Sequence, residues 1–195
     1  MRVFCSLASK LRPWIRQALA ESHKALARFC QRFSPLVGLD GVDGLTLDIR
    51  GLPRLYGGEE AILDSIKTAL EDLGLTAHLA IADTNGAAWA LAHYGRSGTI
   101  LPPNTAEQAL AAFPVEALRL SPETAQALHR LGIKTIGSLK TLPRAQLTRQ
   151  YGREVLGHLE QALGRHGEPL EPLPPPPRPS APAYASPSSW ACWMI

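Results

Sequence analysis

Two stretches of the chain carry regular hydrophobic spacing, and their periods differ. In the first, residues 33–110, Leu45, Leu47 and Ile49 alternate with Thr46 and Asp48, the period-2 pattern of a half-buried strand. Glu59 to Leu73 sets Ile62, Ile66, Ala69, Leu70 and Leu73 at helical spacing and stops at Gly74, a natural residue for the left-handed turn after a helix. Leu75 to Ile81 predicts another strand, and Thr84 can cap a helix that runs to Tyr94 and ends at Gly95. The order β-α-β-α predicts an α+β fold, a sheet with helices on one face.

The second stretch, residues 111–166, is punctuated like a set of short helices. Ser121 is a good N-cap followed by Pro122, and Ala125, Leu128 and Leu131 form an apolar stripe closed by Gly132. Thr135 can begin the next helix, with Leu139 and Leu142 facing inward. Pro143 begins a third that ends before Gly152, and a last one runs from Arg153 to about Leu163. Four short helices joined by tight turns predict a small all-α bundle.

The two ends are different. Residues 1–32 fit neither pattern, although their second half predicts a helix, and the absence of acidic residues before Glu21 also fits a transit peptide over 1–20. The apolar run after Arg2 is broken by Lys10 and Arg12, too early for a membrane span, so no membrane association is expected. Residues 167–195 contain Pro174 to Pro177 and an apolar end, Trp190 to Ile195, but no periodic face, which predicts a disordered tail. Proteolysis is accordingly expected to trim the chain to roughly 25–170.

Composition adds limits. At 195 residues and 45% hydrophobic, the chain can bury one or two small cores. Its formal charge of +3 selects no partner by itself. Residues 116–166, however, hold eight Lys/Arg against four Glu, so the positive charge is concentrated in the helical stretch. Cys5, Cys30 and Cys192 are odd in number and far apart, which argues against a disulfide framework and a zinc site and fits a reducing, cytoplasmic compartment.

Candidate chemistry lies in two places. In Leu131-Gly132-Ile133-Lys134-Thr135-Ile136-Gly137, Gly132 permits the positive φ of a tight helix–helix hairpin, and Ile133 would be buried in its crossing. The following helix would present free N–H groups with Lys134 beside them, an arrangement that holds a phosphate without reading a base. With Lys140 and Arg144 close in sequence, the candidate DNA contacts are Gly132, Ile133, Lys134, Thr135, Gly137, Lys140 and Arg144. The same hairpin would serve in any small helical bundle. In the first stretch, Asp43 stands at a strand start after the turn Asp40-Gly41. Two-metal phosphoryl transfer needs several carboxylates converging on ions about 3.5–4 Å apart. Asp43 and Asp48 are five residues apart, so a regular strand points them to opposite faces and they cannot chelate together.

These segments resemble a known family. Phe33-Ser34-Pro35-Leu36-Val37 followed by Gly41-Val42-Asp43-Gly44-Leu45-Thr46-Leu47-Asp48 is similar to the palm motif of Y-family lesion-bypass DNA polymerases, which reads roughly Y-S-P-x-V-E, then S-I-D-E-x-F-L-D. Leu75 to Ala92 resembles the following strand and helix with their S-x-N-K-x-L-A-K pattern, and Pro114 to Gly137 resembles the helix-hairpin-helix thumb. The resemblance implies a partial palm followed by a helix-hairpin-helix domain. On it, Asp43 is a vestigial metal-ligand position. Gly44 replaces the catalytic glutamate, Gly38 the glutamate after the valine, and Gly86 the lysine that contacts the incoming triphosphate, while Asn85 is kept. The family's first catalytic aspartate has no counterpart in residues 1–32.

Phe33 to Gly51 with Leu55-Tyr56-Gly57-Gly58-Glu59 is closer still to the non-catalytic ImuB-like branch of inducible-mutagenesis proteins. That branch implies a DNA-binding role in SOS mutagenesis without enzymatic activity, cofactor or metal, beside an error-prone replicative polymerase and the sliding clamp. The resemblance also reads as a truncated or frameshifted member, without the early palm and most of the fingers. An active polymerase fragment, which would need Mg2+, and a generic helix-hairpin-helix accessory domain are the alternatives.

Overall fold

The computed structural model describes residues 1–7, 15–41 and 44–173, with side chains over 1–5, 22–41 and 44–173. Among the described residues, strands β1 (Arg2–Leu7), β2 (Val37–Asp40), β3 (Gly44–Asp48), β4 (Ala77–Ala82) and β5 (Thr99–Ile100) form one sheet in the order β2-β3-β1-β4-β5. β1 is antiparallel to both its neighbours, with Phe4 opposite Thr46 and Ala80, and β5 runs parallel to β4.

Alternation along the strands sorts two cores, because successive side chains point to opposite faces. Val3, Cys5, Leu45, Leu47, Leu79 and Ile81 face helices α1 (Ile15–Cys30) and α3 (Glu59–Asp72), which follows a one-turn helix α2 (Pro53–Tyr56). Phe4, Ala80 and Ala82 face α4 (Asn85–Tyr94). The helical unit α5 (Ala106–Leu110), a 3-10 turn Val115–Leu118, α6 (Pro122–Arg130), α7 (Ile136–Lys140) and α8 (Arg144–Ala162) shares that second core through Leu110, Val115, Leu128, Ile136, Val155 and Leu159.

The α+β class is as expected, but the helices are not confined to one face. α4 fills the other, and its alanines Ala87, Ala88, Ala90 and Ala92 are all buried. Small side chains let it lie close to the sheet on one side and to the helical unit on the other. β3 is therefore buried throughout rather than half-buried, and Thr46 is fully enclosed.

Local expectations hold at the helix ends. Thr84, Ser121 and Thr135 each accept a hydrogen bond from the backbone N–H three residues on. Gly152, at φ 73°, breaks α8 into the two helices read from the sequence. The N-terminal expectation fails. Residues 1–32 are not a segment apart, since β1 is the central strand and α1 packs on the sheet, so a stable core cannot begin near residue 25. A strand covered on both faces reads as the unbroken apolar run Val3-Phe4-Cys5 and gives no period-2 signal. Residues 167–173, read as the start of a disordered tail, are instead tied to the sheet: Pro172 bridges Gly38, and the Leu173 N–H donates to the Val37 carbonyl at 2.8 Å. The proline run, Trp190 to Ile195, Cys192 and residues 8–14 of the transit-peptide reading lie outside the described residues. Among those described, no helix is long and apolar enough to cross a membrane.

Candidate functional site

The sheet face toward α4 is where the family resemblance puts its chemistry, and there close packing occupies the positions that need side chains. A Cβ on Gly44 would lie 2.5 Å from Phe4 Cζ and 2.6 Å from the Asp40 carbonyl oxygen. One on Gly38 would meet Leu170 Cδ1 at 2.5 Å and the Glu171 carbonyl at 2.9 Å, and one on Gly86 would meet Ala162 Cα at 3.0 Å. Real Cβ contacts are essentially never as short as those at Gly44 and Gly38, and the one at Gly86 would be tighter than nine in ten, so each glycine admits a neighbour that a larger residue would press upon. Asp43 lies outside the described residues.

The remaining carboxylates are already matched to cations. Asp48 is buried, forked by Arg50 at 2.6–3.0 Å and faced by Arg2 at 3.9 Å. Burial alone would raise its carboxyl, but the hydrogen bonds from the Arg50 side chain and backbone outweigh that and hold it below the usual carboxylate range. Asp40 is held by Arg119 Nη1 at 3.2 Å. Among the described residues, no three His, Cys, Asp or Glu side chains come together to hold a metal ion, and this donor set does not fit a magnesium pair.

Arg119 joins several elements. It follows the 3-10 turn in a left-handed conformation, φ 59°. Its Nη2 donates to both carboxylate oxygens of Glu168 at 2.8 and 3.0 Å, and its guanidinium lies 5.7 Å from the Trp89 ring centre. The Asn85 amide donates to the same Glu168 oxygen at 3.1 Å and to Asp40 at 3.3 Å, and accepts from Thr46 Oγ1 at 2.7 Å.

The hairpin has the expected shape but a different use of its donors. Gly132 sits at φ 79° with open space around it, Ile133 is buried, and Thr135 caps α7. The N–H groups at the start of α7 are not free. Ile136 and Gly137 donate to the carbonyls of Phe113 and Ala111 at 2.9 Å, and Ser138 donates to Thr135 Oγ1 at 3.2 Å. Gly137 is small because it lies against the Ala111 carbonyl, where a Cβ would come within 2.9 Å. Lys140 is paired with Glu107, which Lys140 and then Arg165 hold below the usual carboxylate range, and Arg144 is paired with Glu160 at 2.7 Å. Of the seven sequence candidates, Lys134 alone carries a cationic side chain that is exposed and has no ion pair among the described residues.

No protein-family model matches the chain. It is 47% identical over 147 residues to Protein ImuB of Caulobacter vibrioides, covering 75% of this chain and 32% of that protein. The chain is Y-family and ImuB-like. It is also 28% identical over 172 residues to DNA polymerase IV of Alkalilimnicola ehrlichii, covering 85% of this chain and 48% of that one. A DinB family error-prone DNA polymerase from Sulfolobus solfataricus shares its fold with a TM-score of 0.69, over 88% of this chain and 68% of that one at 13% identity. The insertion ternary complex of Dbh DNA polymerase superposes with a TM-score of 0.64 at 18% identity, over 83% and 48%. The ImuB-like chain thus spans about a third of the length of the curated ImuB proteins it matches.

In this ImuB-like chain, the glycine substitutions are legible in the sequence and what fills them is not. Phe4 belongs to a strand whose pattern gave no signal. Leu170 and Glu168 stand in text that reads as tail, and Arg119 in a non-glycine left-handed turn has no local signature.

Proposed function

We propose that this ImuB-like chain is a non-catalytic DNA-binding component of translesion synthesis. The observation that carries the reading is the filling of the three glycine positions: Phe4, Leu170 with Glu171, and Ala162 stand where polymerase side chains would have to be. A surface that has lost only its carboxylates could regain them by substitution, whereas one repacked around glycine cannot. No nucleotide transfer and no Mg2+ requirement follow. The partners implied are DNA, an error-prone replicative polymerase and the sliding clamp, in the cytoplasm. Primer extension on a primed template with Mg2+ is expected to give no product above blank, and steady incorporation would overturn the reading.

DNA contact is assigned to the helix-hairpin-helix through Lys134, held outward by a hairpin whose Gly132 and Ile133 fix its geometry. Because Lys140 and Arg144 are engaged with Glu107 and Glu160, few phosphates are neutralised. Binding is expected to be insensitive to sequence, with a log–log salt slope of roughly −1 to −2 on duplex DNA. Lys134→Ala should reduce that slope by about one unit without changing the fold, as read by fluorescence anisotropy and thermal melting. Gly132→Val forces a β-branched residue into positive φ and should weaken binding through the hairpin, while Arg54→Ala should not. Binding that ignores salt and Lys134 would exclude the hairpin.

A further inference from the structure

The segment after α8 crosses the sheet's α4 face and ends on the β2 edge. Glu168 enters the Arg119–Asn85 cluster, Leu170 packs over Gly38, Pro172 bridges Gly38, and Leu173 bonds Val37. This strap is joined to the helical unit at one end and to the sheet at the other.

The way Glu168 is held is informative. One guanidinium nitrogen donates to both its oxygens, and the Asn85 amide adds a third donor to one of them. A planar cation with a converging amide is a recognition geometry for oxyanions, shared by carboxylate and phosphate. The Glu168 side chain is only 18% exposed and that of Arg119 20%, so the contact is sheltered rather than a loose surface pair. Asp40 is bound to Nη1 of the same guanidinium, so the cluster already holds one further negative charge beside it, that of Glu168. A phosphodiester carries the same single charge as the carboxylate it would replace.

We propose that Arg119 and Asn85 form a second oxyanion site, filled in the closed chain by Glu168 of its own strap, and that a DNA backbone phosphate takes that place when the strap lifts. The strap is thus autoinhibitory. It sets the Glu168 carboxylate over the face a nucleic acid would approach, and it engages the Arg119 guanidinium that could meet a phosphate there. The idea extends the reading of the chain as a DNA binder, but it engages a different face from the Lys134 hairpin, so the two can fail separately.

The test uses the full chain and a fluorescently labelled duplex at several salt concentrations. Glu168→Gln keeps the shape of the side chain, removes the competing charge and weakens the grip on Arg119. It is expected to tighten binding about 5-fold and to steepen the salt slope by about one unit, since one more phosphate is neutralised. Arg119→Gln added to Glu168→Gln should abolish the gain and leave the Lys134 contribution intact. If wild type binds through Lys134 and Glu168→Gln binds no better, the plug is overturned and the hairpin reading stands. If wild type fails to bind but Glu168→Gln binds through Arg119, the plug stands and the hairpin reading falls. If neither binds, both fall. Circular dichroism checks the fold. Should Glu168→Gln not fold, Glu168→Asp, which shortens the reach by one methylene, gives the same comparison, and an unchanged affinity there overturns the proposal.

Discussion

Gly44→Glu, the substitution that nominally restores a polymerase carboxylate, is expected to destabilise the protein by about 3–5 kcal/mol and to restore no primer extension. The β-carbon alone would come within 2.5 Å of the Phe4 ring and 2.6 Å of the Asp40 carbonyl. Phe4 is fully buried in the central strand, with Trp89 at 6.5 Å and His93 at 5.5 Å between ring centres, so it has nowhere to turn. The carbonyl belongs to β2, which is fixed by its pairing with β3. To this overpacking the glutamate adds a charge, and the cations of that face already serve Asp40, Asp48 and Glu168. In a chain of this size the melting temperature should fall by roughly 10 °C. Gly44→Ala carries the β-carbon without the charge and isolates the packing cost, about 1–3 kcal/mol. An alanine variant as stable as wild type would show that the site is not filled as described.

Deleting residues 1–7 should leave no cooperative unfolding transition at all. These residues form the strand that joins β2-β3 to β4-β5, and without it the sheet separates into two pairs. The loss also removes Val3, Phe4 and Cys5, each fully buried and together contributing to both cores. A deletion of this kind exceeds the roughly 5–15 kcal/mol by which ordinary domains are stable. Phe4→Ala, a milder probe of the same strand, should cost about 3–5 kcal/mol in denaturant unfolding. A two-state transition in the deletion variant near that of wild type would remove β1 from the centre of the sheet.

Much of the candidate site could be read from residue identities, and what remained hidden has a common cause. Gly38, Gly44 and Gly86 show in the sequence that side chains are missing, but not whether the space is empty or filled, because Leu170, Phe4 and Ala162 come from segments 132, 40 and 76 positions away. For the hairpin the sequence supplied the turn, the buried Ile133 and the cap, all local matters of φ and periodicity. It could not show that Phe113 and Ala111 take the amides at the start of α7, or that Glu107 and Glu160 take Lys140 and Arg144, since those partners arrive by chain folding.

The sequence by itself determined the elements with one wet face or a capped end: the amphipathic helix Glu59–Asp72, the caps at Thr84, Ser121 and Thr135, the break at Gly152, and the family to which the motifs point. Local backbone chemistry and hydrophobic period fix such features before any long-range contact forms. Only the tertiary structure decided that Arg2–Leu7 is the middle of the sheet, that α4 closes its second face, and that Glu168 rather than solvent meets Arg119. A strand buried on both sides loses its alternation, and an ion pair 49 positions apart has no sequence period, so neither can be read until the chain has brought the surfaces together.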